Sequence, residues 1–343
     1  MDKKINVAIN GFGRIGRAFV RVAISSPEIN IVAINDLGDI ENLAYLFKYD
    51  TAYGISPFET KTENGDLVID GKTIKYFSNP KPEELPWKDL DIDVVVESTG
   101  FFTSFDKAKA HLDGGAKRVV ISAPAKGESL PEMQTATVLM GINDEKLSTC
   151  VMTSNASCTT NSASPVISIL DEKIGIEKAI LNTVHAYTAS QAVVDGPSKK
   201  DWRSGRAAAQ NIIPSSTGAA IAVTKAVPQL SGKFDGVSMR VPVVAGSVAD
   251  ITFISKRPTT VEEVNKILED ASEDPRWEGI FTATREQIVS SDIIGARYAS
   301  IADLLMTRVV DGNLVKVLAW YDNEMGYTHT LVRHVIKLGQ NIK

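Results

Sequence analysis

The sequence predicts an α/β protein whose first part carries a doubly wound parallel sheet and whose second part is an α+β domain with a largely antiparallel sheet. Residues 1–150 alternate short β-branched runs with helical stretches, which is the pattern of βαβ units. Beyond Ile176 the runs lengthen and alternate apolar with polar residues, as antiparallel strands with one covered face do. A chain of 343 residues exceeds one ordinary core, so we expect two domains.

Individual elements follow from the same patterns. Arg14–Ile24 and Glu324–Gln340 carry apolar residues at helical spacing, and a further helix is expected from Ser157 to about Glu172. Strands of the first part are predicted at Ile5–Ile9, Ile29–Ile34, Asp93–Glu97, Arg118–Ser122 and Val138–Gly141, and those of the second at Lys178–His185, Val237–Val244, Val248–Ser255 and Leu314–Tyr321.

Composition excludes several classes of protein. The formal net charge is -5, so there is no basic excess to make nucleic acid the main partner. No apolar run approaches the roughly 20 residues of a membrane span, and we expect a cytoplasmic location without a membrane partner. Two cysteines and four scattered histidines form neither a disulfide framework nor a zinc motif, so we predict no metal.

A glycine motif follows the first predicted strand directly. Gly11, Gly13 and Gly16 fit GxGxxG, with a strand before and a helix after them. The first glycine permits a tight turn, the second lets backbone approach a pyrophosphate, and the third allows close helix packing. The helix N-terminus adds N–H donors and positive dipole. Without this context the motif would be a weak signal; with it, the sequence predicts a Rossmann-type dinucleotide site.

An acidic residue after the second strand indicates which dinucleotide the site prefers. Asp36 follows Gly16 by 20 residues and ends the next predicted strand, where a carboxylate accepts hydrogen bonds from ribose hydroxyls. A carboxylate there would repel a 2′-phosphate, and Leu37 offers no charge to hold one. The sequence therefore favours NAD over NADP.

Cys158 is the candidate nucleophile. It lies in Ser154–Asn161, among small polar residues, where a helix begins. A helix N-terminus stabilises a thiolate, so we expect the pKa of Cys158 to fall. Most free cysteines are merely small buried residues, and Cys150, in an apolar setting, is expected to be one of them.

His185 is the candidate base for this thiol. It ends an apolar strand and precedes polar Thr188, whereas an arbitrary histidine would more often be structural. The other three histidines, His111, His329 and His334, fall on predicted helices, where solvent-exposed positions are expected.

These motifs together resemble the phosphorylating, NAD-dependent glyceraldehyde-3-phosphate dehydrogenase family. The similarity rests on the glycine motif with Asp36, on SNASCTTN at 154–161 and on HAYT at 185–188, and it continues through 214–220, 239–242 and 320–327. The resemblance implies that Cys158 attacks glyceraldehyde 3-phosphate, that His185 takes the proton and helps stabilise the oxyanion, and that hydride passes to NAD. Inorganic phosphate would then cleave the thioester to 1,3-bisphosphoglycerate.

The resemblance also implies domains and ligand contacts. It gives an NAD-binding domain at 1–157, with the helix 324–343 packed back on it, a catalytic domain at 158–323, and a homotetramer in which the loop 190–214 lines a neighbour's cofactor site. Asn323 would hold the nicotinamide carboxamide. It assigns the substrate phosphate to Thr188 and Arg240, the attacking phosphate to Ser157, Thr159, Thr217 and Gly218, and the cofactor to Gly11, Gly13, Arg14, Ile15, Gly16, Asp36, Ser98, Thr99, Gly100, Ser122, Asn323 and Tyr327.

Two alternatives stay open at this point. An erythrose-4-phosphate dehydrogenase would share the fold, the cysteine and the cofactor motif, although the implied phosphate ligands favour the triose. A non-catalytic NAD-binding or RNA-binding homologue is the second alternative, and the retention of both Cys158 and His185 argues against it. The sequence does not give the physiological direction of the reaction.

Overall fold

The computed structural model describes residues 4–127, 130, 133–199 and 201–342. Contacts divide the chain into two compact units, Met1–Ala156 together with Leu331–Lys343, and Ser157–Thr330. Within the described ranges, no helix is both long and apolar enough to cross a membrane.

The first unit is built on a mixed, mainly parallel sheet. The strands of the unit are β1 Ile5–Asn10, β2 Ile29–Asn35, β3 Tyr49–Asp50, β4 Gly54–Ile55, β5 Thr60–Glu63, β6 Asp66–Ile69, β7 Lys72–Phe77, β8 Val94–Glu97, β9 Arg118–Ile121, β10 Thr135–Thr137 and β11 Met152–Ser154; the helices are α1 Arg14–Ala23, α2 Ile40–Lys48, α3 Phe105–Ala108 and α4 Ala110–Asp113. Among the described residues the strand order in the sheet is β10-β11-β9-β8-β1-β2-β7-β6-β5, and all neighbours are parallel except the pairs β5–β6 and β6–β7.

The chain reverses its direction of travel across this sheet beside β1. From β1 it moves to β2 on one side, and it later returns to place β8 on the other side. In doubly wound sheets the carboxyl ends of the strands at such a switch point form the ligand-binding crevice. The strands are buried on both faces, as parallel strands usually are, and Ile9, Val95 and Val120 are fully buried.

The predicted doubly wound sheet is confirmed, but several of its strands differ from the prediction, and β7 and β11 were not predicted. The strand expected at Val138–Gly141 is wrong, because the edge strand is β10 and the following residues lie outside any strand. That apolar run is buried, and only Val138 N continues the pairing, to the Ser154 carbonyl of β11 at 2.9 Å; periodicity cannot distinguish such a run from a strand. The hairpin β5–β6 extends the opposite edge in antiparallel fashion and was not predicted.

The second unit carries the largely antiparallel sheet that the alternating pattern predicts. Its elements are α5 Cys158–Ile174, β12 Ile176–Ala186, β13 Ile213–Ser216, α6 Ala219–Ala226, β14 Phe234–Val241, β15 Ser247–Ser255, α7 Val261–Ser272, β16 Phe281–Thr284, β17 Ser300–Val310 and β18 Leu314–Tyr321, followed by α8 Met325–Gln340. Among the described residues the strand order is β13-β14-β12-β15-β18-β17-β16, and only the pairs β12–β14 and β16–β17 are parallel. One face of the sheet is covered by α5 and α7, and β15 alternates buried with half-buried residues accordingly.

Two histidines that we expected at the surface are buried. His111 in α4 and His334 in α8 are both 0% exposed. His334 Nδ1 lies 3.0 Å from Asn155 Oδ1, and its Nε2 lies 2.7 Å from Thr153 Oγ1, all within the first unit. His334 lies on the covered face of α8 with Leu331, Val335 and Leu338, whereas Arg333 and Gln340 on the other face are exposed. Burial lowers the pKa of His334 to about 3.

Replacing His334 with Gln should weaken the dependence of stability on pH. The ordinary pKa of a histidine is 6.5. Between pH 6.5 and about 3, residue 334 therefore binds a proton in the unfolded chain but not in the folded chain. The free energy of unfolding therefore falls on acidification through this window, by up to about 1.4 kcal/mol per pH unit. Urea midpoints at pH 7, 6 and 5 should fall less steeply in His334→Gln than in the wild type. The partly exposed His329, replaced in the same way, is the control; equal slopes in the wild type and His334→Gln would contradict this.

Candidate functional site

The residues predicted to bind the dinucleotide lie along one edge of the first unit's sheet. Gly11 follows β1, Asp36 follows β2, Ser98 follows β8 and Ser122 follows β9. These four strands are neighbours, so their carboxyl ends bring the predicted residues to the same edge at the switch point.

The glycine turn leaves little room for side chains except where a ligand would lie. Gly11 has φ +98°, and a Cβ there would meet Thr99 N at 2.7 Å. A Cβ on Gly16 would meet the Gly11 carbonyl at 2.1 Å, whereas one on Gly13 would meet nothing within 4 Å. Gly13 also caps α1, without a side-chain acceptor and without an acidic residue in the first turn. The exposed N–H groups of this helix therefore fit the pyrophosphate of NAD.

Asp36 is held by backbone donors on the neighbouring turns. Its Oδ2 accepts from Phe12 N at 2.6 Å and its Oδ1 accepts from Gly38 N at 2.8 Å. A carboxylate retains lone pairs beyond these two bonds, so it can also accept from ribose hydroxyls. The Arg14 guanidinium, by contrast, pairs with Asp50 at 2.7 Å.

In the second unit, Cys158 is the first residue of α5. Ser157 caps this helix, because its Oγ accepts from Thr160 N at 3.1 Å. Asn161 Nδ2 also donates to the Ser157 carbonyl, at 2.9 Å. Ser157, predicted as a phosphate ligand, therefore has a structural role as well. The cap fixes where the helix begins and hence where the thiol points.

The predicted thiol and base are in contact. Cys158 Sγ lies 3.4 Å from His185 Nε2. His185 Nδ1 lies 2.7 Å from the Ala186 carbonyl, and an Nδ1–H that donates there leaves the Nε2 lone pair facing the thiol. This is the arrangement a general base needs.

Arg240 approaches the other side of the imidazole. Residues 185 and 240 are paired across β12 and β14, and Arg240 Nη1 lies 2.7 Å from His185 Nδ1 and 3.2 Å from the Ala186 carbonyl. Nδ1 cannot donate to Ala186 and accept from Arg240 at once, so the two contacts correspond to two tautomers of the ring. The Arg240 Nε atom is buried without a hydrogen-bond partner, and no carboxylate of the described chain pairs with this guanidinium. Such a cation fits an anionic ligand.

The charge state of the pair differs from the expectation. Burial raises the pKa of the Cys158 thiol, and Arg240 with the N–H groups at the helix start only partly opposes this. Burial, followed by the charge of Arg240, lowers the pKa of His185 to about 3. The prediction that the pKa of the thiol falls was therefore wrong in direction: the helix N-terminus lowers it as expected, but burial outweighs this effect. The resting pair is a thiol beside a neutral imidazole.

One residue of this site was missed by the sequence reasoning. Tyr321 OH bonds to Thr159 Oγ1 at 2.9 Å and to Thr183 Oγ1 at 2.7 Å, and its ring meets the His185 ring edge-on, with centroids 5.8 Å apart. It thereby ties the start of α5 to β12. The alternation of β18 predicts a buried face that includes Tyr321, but it cannot show which hydroxyls the phenol meets.

The remaining predicted ligands lie in turns of the second unit. Thr188 follows β12 and bonds to Gln191 and Ser190, and Thr217 and Gly218 form the N-terminal turn of α6. Asn323 Oδ1 accepts from Gly246 N and Ser247 Oγ, which leaves its amide N–H groups to donate elsewhere. Tyr327 is buried in the first turns of α8.

A dinucleotide-binding sheet together with a cysteine–histidine pair defines a class: NAD-dependent dehydrogenases with a nucleophilic cysteine. Two family models match the chain. The glyceraldehyde 3-phosphate dehydrogenase NAD binding domain matches residues 5–105, and the C-terminal domain of the same family matches residues 157–323.

Whole-chain relatives agree with these matches. Glyceraldehyde-3-phosphate dehydrogenases of Clostridium acetobutylicum and Clostridium pasteurianum are each 48% identical over 332 residues, covering 95% of this chain and 96% of theirs. The enzyme of Colletotrichum lindemuthianum is 45% identical over 338 residues, covering 97% of this chain and 98% of its own. The chain belongs to the glyceraldehyde-3-phosphate dehydrogenase family.

Replacing Arg240 with Gln should slow alkylation of Cys158. The guanidinium lowers the pKa of this thiol, so its removal raises that pKa and reduces the thiolate fraction at neutral pH. Iodoacetamide rates from pH 6 to 10, with the labelled cysteine identified by mass spectrometry, measure the shift. Arg308→Gln, on an exposed position of the same unit, is the control. Wild-type alkylation that is already maximal near pH 6 would contradict the protonated resting thiol.

Proposed function

We propose that this chain oxidises glyceraldehyde 3-phosphate to 1,3-bisphosphoglycerate, with NAD as the cofactor and inorganic phosphate as the acyl acceptor. The observation that carries the proposal is the 3.4 Å contact between Cys158 Sγ and His185 Nε2 in a chain of this family. Relatives matching over nearly the whole chain bear the name of this dehydrogenase, which supports the triose substrate over a four-carbon sugar and over a non-catalytic role.

The first chemical step joins the thiol to the aldehyde. Cys158 Sγ attacks the carbonyl carbon, while His185 Nε2 takes the thiol proton and passes it to the developing oxyanion, giving a thiohemiacetal. His185 then takes the hydroxyl proton as the carbon loses hydride. When bound, NAD supplies the acceptor for that hydride. The product on Cys158 is a thioester, which conserves the free energy of the oxidation.

The second step transfers the acyl group. An oxygen of inorganic phosphate attacks the thioester carbonyl, the carbon–sulfur bond breaks, and Cys158 leaves as a thiolate that the His185 imidazolium reprotonates. Oxidising one aldehyde thus consumes one phosphate and one NAD, and it releases one proton with the NADH.

Arg240 links substrate binding to the basicity of His185. Its charge, after burial, depresses the pKa of the imidazole, and the two nitrogens lie 2.7 Å apart. A substrate phosphate on Arg240 would offset that charge, so the imidazole would accept a proton more readily once the substrate is present. We assign the substrate phosphate to Arg240 and Thr188 on this basis.

The other residues keep the roles that the family resemblance implies. The attacking phosphate is assigned to Ser157, Thr159, Thr217 and Gly218, which offer hydroxyls and the N-terminal turns of α5 and α6. The cofactor is assigned to Gly11, Gly13, Arg14, Ile15, Gly16, Asp36, Ser98, Thr99, Gly100, Ser122, Asn323 and Tyr327. We assign the NAD-binding domain to 1–157 with the helix 324–343, and the catalytic domain to 158–323.

We also propose a homotetramer in the cytoplasm. Exposed apolar side chains on the second unit, among them Ile180, Ile221 and Val237, favour self-association. Sedimentation velocity separates a tetramer from a monomer and tests this part of the proposal.

A steady-state assay with and without phosphate tests the reaction. We expect NADH formation from glyceraldehyde 3-phosphate to require phosphate, and NADP to replace NAD poorly because Asp36 repels a 2′-phosphate. Cys158→Ser should lower kcat by at least about 1,000-fold while NAD binding persists. Cys150→Ser, which alters a buried thiol outside the site, should change kcat little. Preference for erythrose 4-phosphate, or full activity of Cys158→Ser, would overturn the proposal.

A further inference from the structure

A row of buried polar side chains crosses the carboxyl ends of three strands in the first unit. Asn35 ends β2, Asn10 ends β1 and Glu97 ends β8, and these residues are direct neighbours in the parallel ladder. Asn35 Nδ2 donates to Asn10 Oδ1 at 2.7 Å, and Asn10 Nδ2 donates to Glu97 Oε2 at 2.6 Å. The row continues to His111 Nε2, 3.0 Å from the same carboxylate oxygen. The row lies at the carboxyl ends of β2, β1 and β8, the three strands around the switch point.

The direction of every hydrogen bond at the end of this row is fixed. The Trp87 indole N–H can only donate, and it lies 3.1 Å from His111 Nδ1. His111 Nδ1 is therefore an acceptor, and its Nε2–H donates to Glu97. The imidazole is neutral in this arrangement, and in the described chain no lysine or arginine reaches Glu97, which is 2% exposed. A buried carboxylate is thus held by hydrogen bonds alone.

The second oxygen of this carboxylate holds the loop that follows β8. Glu97 Oε1 accepts from Thr99 N at 2.8 Å and also from the Thr99 hydroxyl, which in turn accepts from Phe101 N at 3.1 Å. Thr99 N is also the atom that a Cβ added to Gly11 would approach most closely, at 2.7 Å. Ser98 Oγ bonds the start of this loop to the Gly11 carbonyl at 2.7 Å, and the Glu97 carboxylate holds the next residue, Thr99, beside the glycine turn.

We propose that Glu97 is a positioning residue for NAD binding, acting through Thr99 and kept in place by His111 and Trp87. The inference rests on the assignment of Thr99 and Gly100 to the cofactor under the proposed function. A buried carboxylate without a cation is unfavourable for stability, and an apolar side chain would fill the same volume at lower cost. What the carboxylate uniquely supplies is a pair of acceptors that joins the row to this loop.

The test is Glu97→Gln in the full-length chain, with NAD binding measured by isothermal titration calorimetry. In one orientation the glutamine NH2 meets the donors of Thr99, and in the other it meets those of Asn10 and His111, so the side chain must shift and its hydrogen bonds to Thr99 are weakened or lost. We expect the Kd for NAD to rise about tenfold or more, as loss of hydrogen bonds to a charged group implies. The KM for glyceraldehyde 3-phosphate and the rate of Cys158 alkylation should stay at the wild-type values.

Asp93→Asn is the matched control for a purely structural effect. Asp93 is a buried carboxylate that immediately precedes the N-terminal end of β8, whereas Glu97 lies at its C-terminal end. The Asp93 carboxylate accepts from Asn6 N and pairs with Lys117. Its replacement should lower the melting temperature and leave the Kd for NAD unchanged. The inference fails if folded Glu97→Gln binds NAD like the wild type, or if Asp93→Asn weakens NAD equally. Wild-type chain that binds no NAD would instead refute the proposed function.

A milder variant applies if Glu97→Gln does not fold. Trp87→Phe keeps an aromatic ring but removes the N–H that fixes the His111 tautomer, together with part of the buried ring system. We expect the Kd for NAD to rise about threefold, because one net hydrogen bond is lost at a distance from the loop. An unchanged Kd in folded Trp87→Phe would overturn the inference.

Discussion

The contact between Cys158 Sγ and His185 Nε2 is the constraint on which the chemistry depends. The start of α5 and the end of β12 must bring these two atoms within 3.4 Å of each other. The Ser157 cap defines the first turn of α5, and Tyr321 ties that turn to β12 through two hydroxyls. Strands β12 and β18 therefore help to hold the Cys158 sulfur against the His185 ring nitrogen.

Burial sets the electrostatics of this pair. Desolvation favours the neutral forms of both groups, and Arg240 adds a positive charge that opposes an imidazolium but favours a thiolate. The site therefore rests as a protonated thiol beside a neutral base, with an arginine that pairs with no carboxylate among the described residues. Under the proposed function, a substrate phosphate bound to Arg240 would change this balance. The reactivity of Cys158 would then depend on the bound substrate as well as on the residues around the thiol.

Local signals in the sequence predicted what depends on local structure. The glycine motif, Asp36 and the position of Cys158 follow from a strand, a turn and a helix start, and their places in the fold agree with the sequence. The burial of His111 and His334, the network of Tyr321 and the direction of the Cys158 pKa shift depend on distant segments packing together. Periodicity within a helix cannot report such packing, so these features could be found only in the folded chain.

Trapping the covalent intermediate tests the account most directly. The chain is mixed with glyceraldehyde 3-phosphate and NAD in phosphate-free buffer, quenched in acid and digested for mass spectrometry. The account predicts a phosphoglyceroyl group on the peptide that contains Cys158, which disappears when inorganic phosphate is added before quenching. NADH formed without any acyl group on Cys158, or with the acyl group on another residue, would contradict it.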